Sequence, residues 1–296
     1  ISPYPKKQEL TGSCALNGII IDIDPVLFQV GTLEVRWYSL AVVSAIIAAI
    51  VITARRAPKK GIPSGEIYSM AFWVIAAGII GARLFHVVDH WDHYMQMPSM
   101  ILGFQGLAIW GGLVGGGLAM VLYGWRKKLP LWRLADTLVP GLLAAQIDGK
   151  IGCIVNGDAY GGVTNLPWAF IYANPDAAIS QALYGLPTHP YPVYEMLWNG
   201  LTLLGVLWLG RRVKKDGLVF LAYIAAYSVA RFGFTYVRLE NTFIGGLQEA
   251  QLIAIGALAL AAVAAVYLLK FRKDRPAGPT AVADAASAAL PGTARE

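Results

Sequence analysis

Long apolar runs separated by short polar segments make up most of the chain from residue 37 onward. A helix needs about 20 predominantly apolar residues to cross the hydrocarbon core of a bilayer. Seven segments meet or approach this length, which predicts an all-α, multi-pass membrane protein. The predicted helices are 37–54, 67–88, 104–124, 134–154, 193–210, 217–236 and 249–270. The fourth is the least regular, because Gln146, Asp148 and Lys150 interrupt its second half.

The same pattern divides the chain into three predicted parts. Residues 1–36 form an extracytoplasmic N-terminal segment, in which 18–34 is too short and too acidic to span and is expected at the interface. Residues 37–275 form the transmembrane domain, with the Gly- and Pro-rich segment 155–192 as a long outer loop. Residues 276–296 are rich in Ala, Pro, Gly and Thr and are expected to be a disordered cytoplasmic tail.

Basic residues follow every second predicted helix, which sets the expected orientation. Clusters of Lys and Arg occur within 55–60, 126–133, 211–215 and 270–275, whereas 89–103 and 155–192 contain neither residue. Because cytoplasmic loops carry the excess of Lys and Arg, the N-terminus is predicted outside and the C-terminus in the cytoplasm. Removing the fourth helix would break this alternation, which supports its existence.

Composition agrees with a membrane class and excludes others. The chain is 56% hydrophobic and 14% charged, whereas soluble domains carry about 25% charged residues. The net charge of +6 lies mostly between the apolar runs, so a nucleic-acid partner is not expected. Cys14 and Cys153 are far apart in sequence, which argues against a disulfide framework or a zinc site.

Residues 149–161 combine a cation, an amide and a carboxylate with four glycines, where the fourth apolar run ends. Lys150, Asn156 and Asp158 supply a donor, a donor/acceptor and an acceptor within a short stretch. Glycines such as Gly161 let the backbone approach a ligand closely. A ligand site and a Gly-rich helix end packed on a neighbour both fit this spacing.

Arginines near the predicted outer face are the next candidates for chemistry. Tyr227 and Arg231 lie four residues apart, so they share a helix face, and Arg238 follows two turns later. Guanidinium groups match phosphate oxygens geometrically, which favours a phosphodiester ligand. An ion pair of Arg231 with Glu240 or Asp158 is the structural alternative.

A further arginine, Arg83, lies within the second predicted helix, where it either contacts a phosphate headgroup or extends to the interface. His86, His90 and His93 follow at helical spacing, but Asp89 and Asp92 accompany them at the interface. Capping or solvation explains these histidines better than a metal, and no metal site is predicted.

Aromatic and glycine-rich positions at the helix ends allow two interpretations each. Tyr38 opens the first helix and is typical of an aromatic anchor at the interface. His189 and Glu195 flank a proline-rich start of the fifth helix, which suits either helix initiation or chemistry. The glycines of 106–117 favour close helix packing, and they would also leave a groove for an acyl chain.

Taken in order, these motifs resemble the prolipoprotein diacylglyceryl transferase family of bacterial membranes. The hallmark run of that family, Gly-Arg-x-Gly-Asn-Phe-x-Asn-x-Glu-x-x-Gly, matches 149–161 at four positions: Gly149, Gly152, Asn156 and Gly161. Further similar stretches are Arg36-Trp37-Tyr38, Gly81-Ala82-Arg83, the glycine run 105–115, 136–140, His189-Pro190 to Tyr194-Glu195, and Tyr227 to Arg238.

The resemblance implies a function: transfer of the diacylglyceryl group of phosphatidylglycerol to the lipobox cysteine thiol of a prolipoprotein. The products are a thioether and glycerol phosphate, and no cofactor is implied. The expected catalytic residues are Arg231, Lys150, Asp158 and His189. The expected phospholipid-binding residues are Lys150, Arg231, Arg238, Tyr38, Asn156, Gly161, Tyr227 and Arg83. The implied location is the bacterial inner membrane, with the site toward the outer leaflet.

Several positions depart from the family pattern. Lys150 replaces Arg, Cys153 replaces Asn, Asp158 replaces Glu, and Trp110 replaces a His proposed as the base. Thr235 also stands where many members have Glu. A catalytically weak paralogue that binds phospholipid or signal peptides therefore remains an alternative. A small-molecule transporter is a further alternative, although it predicts internal repeats that the sequence does not show.

Overall fold

A computed structural model describes residues 17–271, apart from 32, 104, 105, 107, 239–241, 245 and 246. The predicted tail 276–296 lies outside the described residues. The described chain contains eight α-helices: α1 Trp37–Arg56, α2 Ser64–Asp89, α3 Trp91–Gln96, α4 Ile109–Arg126, α5 Leu131–Asn156, α6 Tyr191–Arg212, α7 Leu218–Phe234 and α8 Glu249–Phe271. Two short 3₁₀ helices, Ala57–Lys60 and Pro98–Leu102, lie between them.

A long helix occupies each of the seven segments that hydropathy predicted, with ends shifted by a few residues. Among the described residues, four helical segments are long and apolar enough to cross a membrane: Trp37–Lys60, α2, α5 and α8. The apolar helix α7 is shorter, with 17 residues. That seven segments cross the bilayer, and in which orientation, stays a prediction.

Short strands lie in the segments between helices, which a purely α-helical prediction had not included. They are β1 Ile19–Ile21, β2 Val26–Val30, β3 Leu33–Arg36, β4 Phe170–Tyr172, β5 Thr242–Ile244 and β6 Leu247–Gln248. The strand β1 pairs in parallel with β4, whereas β2–β3 and β5–β6 are antiparallel pairs. The expected interfacial segment 18–34 is therefore largely extended.

Two compact units make up the chain, the first formed by 1–49 with 139–270 and the second by 50–138 with 271–296. One core cluster of the first unit joins three helices, because Val139 and Leu143 of α5 pack with Val206 of α6 and with Val219 and Tyr223 of α7. Polar residues of α5 also have partners within this unit. The Ser44 hydroxyl of α1 donates to Asp148 at 2.6 Å, and the Gln146 amide donates to the Tyr223 hydroxyl at 2.8 Å.

The loop between α5 and α6 is connected to the rest of the first unit by backbone hydrogen bonds. Gly157 ends α5 with a φ of 74°, a left-handed conformation that suits glycine. Phe170 of β4 exchanges two backbone bonds of 2.9 Å with Thr188. The Gly161 N–H donates to the His189 carbonyl at 3.1 Å, and the Gly162 N–H donates to the Val237 carbonyl at 2.9 Å. This turn-rich segment is thus ordered through its own pairing.

In the second unit, helices α2 and α4 meet through glycines. A Cβ added at Gly111 would lie 2.1 Å from the Gly81 carbonyl oxygen, and one added at Gly115 would lie 2.4 Å from the Ala77 carbonyl oxygen. Since no larger residue fits, these glycines serve backbone contact between helices. Of the two sequence interpretations for this run, close packing is the one that the structure supports at Gly111 and Gly115.

Candidate active site

Lys150 is held by a carboxylate from another helix. It lies in α5, and its ammonium forms an ion pair with Glu195 near the start of α6. The two side chains are 25% and 15% exposed. Because removing a charge from water is unfavourable unless it is paired, the two helices stabilise each other's ionised group.

Tyr191, the first residue of α6, lies beside this ion pair and is completely buried. Its hydroxyl donates to Oε1 of Glu195 at 2.9 Å. The same hydroxyl accepts a hydrogen bond of 2.9 Å from Nη1 of Arg231 in α7. Tyr191 therefore links the carboxylate of Glu195 to the guanidinium of Arg231.

The aromatic ring of Tyr191 contacts two further cations. Nζ of Lys150 lies 5.5 Å from the ring centroid, and the guanidinium carbon of Arg238 also lies 5.5 Å from it. Cations within about 6 Å of a ring centroid are attracted by the negative face of the ring. Lys150, Arg231 and Arg238, which were predicted as binding residues, thus converge on one buried tyrosine.

The C-terminal end of α5 places two more predicted residues. The Asn156 side-chain oxygen accepts a hydrogen bond of 3.3 Å from Nη1 of Arg36, and Asn156 is 9% exposed. Asp158 lies just beyond the helix and is exposed to solvent. Cys153, one turn before the end of α5, is a partly buried free thiol.

His189 precedes α6 by two residues and packs against Gly161. A Cβ at Gly161 would lie 2.7 Å from the His189 Cβ, so only glycine allows this contact. Nδ1 of His189 lies 3.3 Å from the Tyr194 hydroxyl, which accepts a bond of 3.1 Å from the indole N–H of Trp168. Burial lowers the pKa of the His189 imidazole from its ordinary value of 6.5. The ring is thus oriented, and it is neutral at pH 7.

Two predicted aromatic residues have contacts within the first unit. Tyr38 packs against Gly152, where an added Cβ would lie 3.2 Å from the Tyr38 Cα. Tyr227 is 43% exposed, and its ring lies 6.3 Å from that of Tyr223. Tyr227 and Arg231 lie four residues apart in α7 and so share a helix face; that they bind one ligand together stays a prediction.

Arg83 belongs to the second unit, where backbone carbonyls surround its guanidinium. Nε donates to Ile101 and Nη1 to Gly106, both at 3.0 Å, and Nη2 donates to Met100. The guanidinium carbon lies 5.1 Å from the centre of the Tyr94 ring. These bonds tie the segment after α3 to α2.

The three histidines after Arg83 line a cavity of about 610 Å³. The rings of His86 and His90 lie 4.4 Å apart, and Nδ1 of His90 is 3.5 Å from a carboxylate oxygen of Asp89. Within the described residues, no three His, Cys, Asp or Glu side chains are placed to hold a metal ion. Trp110, also in this unit, is the second residue of α4 and is 46% exposed.

The sequence of the chain matches a known protein family. Residues 25–267 match the family model described as prolipoprotein diacylglyceryl transferase. The chain belongs to this family. It is 32% identical over 263 residues to the phosphatidylglycerol–prolipoprotein diacylglyceryl transferase of Synechococcus elongatus, covering 85% of this chain and 90% of that protein.

Two other relatives carry the same transferase name. The one from Clostridioides difficile is 33% identical over 254 residues, covering 85% of this chain and 98% of its own length. The one from Dehalococcoides mccartyi strain BAV1 is 32% identical over 256 residues, covering 86% and 97%. The resemblance to the diacylglyceryl transferase family is confirmed.

Two residues of this side-chain cluster were not among the predicted site residues. Tyr191 and Glu195 were noted only in the proline-rich start of the fifth helix. Their spacing of four residues places both on one helix face, and Pro190 and Pro192 flank the tyrosine. A tyrosine and a carboxylate on one helix face were the signal that the sequence offered, but the sequence does not show which cations they contact.

Proposed function

We propose that this protein transfers the diacylglyceryl group of phosphatidylglycerol to the thiol of a lipobox cysteine in prolipoproteins. The observation that carries the proposal is the convergence of Lys150, Arg231 and Arg238 on Tyr191 in a chain of this family. The products are a thioether-linked prolipoprotein and glycerol phosphate. The protein therefore acts in lipoprotein biosynthesis.

The cations suit the bond that breaks. The sulfur of the acceptor cysteine attacks the glyceryl carbon that is bonded to the phosphate oxygen. The carbon–oxygen bond breaks, and its electron pair stays with the departing glycerol phosphate. Arg231 and Arg238 bind the phosphate where this charge develops, and preorganised donors of this kind lower the barrier. Lys150 adds a third positive charge next to them.

The thiol must lose its proton for this attack. His189 is neutral at pH 7 because burial lowers its pKa, and it accepts the proton in this proposal. The Tyr194 hydroxyl, 3.3 Å from Nδ1, orients the imidazole. Asp158, exposed at the end of α5, stabilises the resulting positive charge or takes the proton in place of His189.

The remaining predicted residues bind the lipid. Asn156, oriented by Arg36, offers an amide to the glycerol hydroxyls. Gly161 keeps the backbone close to His189. Tyr38, at the start of α1, and Tyr227, within α7, contribute aromatic surface. Arg83 holds the segment after α3 through its bonds to backbone carbonyls, and its contact with a headgroup stays a prediction.

The proposed location is the bacterial inner membrane, with the site toward the outer leaflet. The alternation of basic loops supports seven crossings with the N-terminus outside and the C-terminus in the cytoplasm. In this orientation the 155–192 loop and the ends of α5 and α6 that carry Lys150 and Tyr191 face outward. Both substrates, a membrane lipid and a signal peptide anchored in the membrane, are then within reach.

The test uses the purified chain in phosphatidylglycerol vesicles with a lipobox peptide, weighed by mass spectrometry. We expect a mass gain of one diacylglyceryl unit, and we expect Arg231→Ala to abolish it. The matched control is Arg212→Ala, because Arg212 stacks on Trp208 at the opposite end of α6. No mass gain, with an active relative working in parallel, would refute transfer and favour a phospholipid-binding paralogue.

A further inference from the structure

Tyr191 touches four charged groups of the proposed site. It contacts Arg231 and Glu195 through its hydroxyl, and Lys150 and Arg238 through its ring. Its ring also meets the edge of Phe234, with centroids 6.1 Å apart. No part of the side chain is exposed to solvent.

We propose that Tyr191 is the positioning residue that holds the phosphate-binding cations in their working geometry. The inference rests on the proposed function and deepens it. Tyr191 does not react, and it acts through Arg231, Arg238 and Lys150. Its hydroxyl fixes the first of these cations and its ring seats the other two.

Such a residue is needed because the three cations carry the same charge. Three cations gathered for one phosphate repel each other when the substrate is absent. An aromatic face attracts a cation without neutralising it, so the Tyr191 ring holds Lys150 and Arg238 close to each other without adding a negative charge. A second carboxylate beside Glu195 would instead compete with the phosphate for these cations.

The hydroxyl has a separate task. It donates to Glu195, so its oxygen lone pairs are available to accept the hydrogen bond from Arg231. The carboxylate that pairs with Lys150 is thereby coupled to the guanidinium of Arg231. One network fixes side chains from α5, α6 and α7, which lowers the rearrangement needed when substrate binds.

The backbone around Tyr191 is rigid enough to serve this purpose. Pro190 and Pro192 flank it, and proline fixes φ. The Tyr191 N–H donates to the His189 carbonyl at 2.7 Å, and the His189 N–H donates to the Gly162 carbonyl at 3.0 Å. The position of the ring is therefore set before any ligand arrives.

The experiment separates the ring from the hydroxyl with Tyr191→Phe and Tyr191→Leu. The matched control is Tyr184→Phe, since the Tyr184 hydroxyl donates to the Ala173 carbonyl and contacts none of the cations. Transfer kinetics are measured over a range of phosphatidylglycerol mole fractions, with the melting temperature of each variant. Binding of phosphatidylglycerol is measured by native mass spectrometry in zwitterionic nanodiscs.

We expect Tyr191→Phe to lower kcat about tenfold with KM changed less than twofold, because the ring remains and the Arg231 contact is lost. We expect Tyr191→Leu to lower kcat/KM at least a hundredfold and to weaken phosphatidylglycerol binding. Higher activity and tighter phosphatidylglycerol binding in Tyr191→Phe than in Tyr191→Leu would show the contribution of the aromatic ring. Tyr184→Phe should transfer like the wild type.

Wild-type kinetics and binding in both Tyr191 variants would overturn the inference. A kcat of Tyr191→Phe no lower than that of Tyr184→Phe would overturn the role of the hydroxyl, even if Tyr191→Leu does not fold. The two proposals also fail separately. If the wild type transfers nothing yet binds phosphatidylglycerol, and Tyr191→Leu loses that binding, the transferase proposal fails and the positioning role stands.

Discussion

Two arginines in this protein, Arg231 and Arg83, are held in opposite ways. Arg231 in the first unit donates to the hydroxyl of Tyr191, which in turn donates to Glu195. Arg83 in the second unit donates to three backbone carbonyls of one short segment. A hydroxyl acceptor in a side-chain network can be exchanged for a phosphate, whereas the carbonyls are fixed parts of the backbone segment that the arginine holds in place.

The difference teaches what each arginine is for. Carbonyl acceptors make a guanidinium part of the backbone architecture, because its removal costs the hydrogen bonds that hold the segment. The Tyr191 hydroxyl is a neutral acceptor, so its contact leaves the charge of the Arg231 guanidinium unchanged. Both arginines lie near a helix end in the sequence, so this position does not distinguish their roles. The hydrogen-bond partners of each guanidinium distinguish them.

The largest effect is expected when the side-chain network loses its anion. Glu195→Gln leaves the ammonium of Lys150 without its carboxylate, next to Arg231 and Arg238. Breaking a buried pair destabilises by about 3–5 kcal/mol, and the partial exposure of this pair places the value at the lower end. We expect a fall in melting temperature and at least a hundredfold loss of transfer. Unchanged transfer would show that the carboxylate does not organise the cations.

The next largest effect is expected from Arg83→Gln, which removes the donors to the three carbonyls and so tests the structural role of Arg83. These hydrogen bonds are exposed or partly buried, so each one lost costs about 0.5–1.5 kcal/mol, and the melting temperature should fall. We expect the fraction that folds to keep kcat within about threefold of the wild type. A higher KM for phosphatidylglycerol at unchanged melting temperature would instead make Arg83 a headgroup ligand, as the sequence predicted.

A smaller effect is expected from Lys150→Arg, which restores the residue typical of the family. A guanidinium can contact a phosphate through two parallel hydrogen bonds, whereas an ammonium cannot. We expect kcat/KM to rise severalfold, since the ion pair with Glu195 suits either cation. A loss of activity would show that the surroundings of Lys150 have adapted to the smaller group. Steady-state kinetics with the lipobox peptide decides.

The smallest effect concerns pH. Burial lowers the pKa of His189 below its ordinary value of 6.5, so the neutral imidazole persists at neutral pH and is protonated only as the pH falls through the lowered pKa. We expect transfer to be flat near pH 7 and to decline as the pH falls through the lowered pKa of His189. Because the unfolded chain binds this proton more readily, stability also decreases below about pH 6.5. A pH–rate profile of the wild type against His189→Gln checks this.

Hydropathy predicted the helices well, since each long apolar run in the chain lies in a helix of the structure. The strands were missed because β1 and β4 have three residues each and their pairing joins segments about 150 positions apart. At the site, family motifs pointed to Lys150 and Arg231. The link between them was not predictable, because it depends on how α5, α6 and α7 are rotated against each other.

The ion pair between Lys150 and Glu195 also has a consequence for membrane insertion during synthesis of the protein. Helix α5 leaves the ribosome carrying Lys150 well before Glu195 has been synthesised. A lysine in a membrane helix costs up to about 2.5–3.5 kcal/mol at the helix centre and less toward an end such as that of α5. Glu195 is synthesised only with α6, 45 residues later. We therefore expect α5 to insert stably only when α6 is present, so that the two helices enter the membrane as a pair.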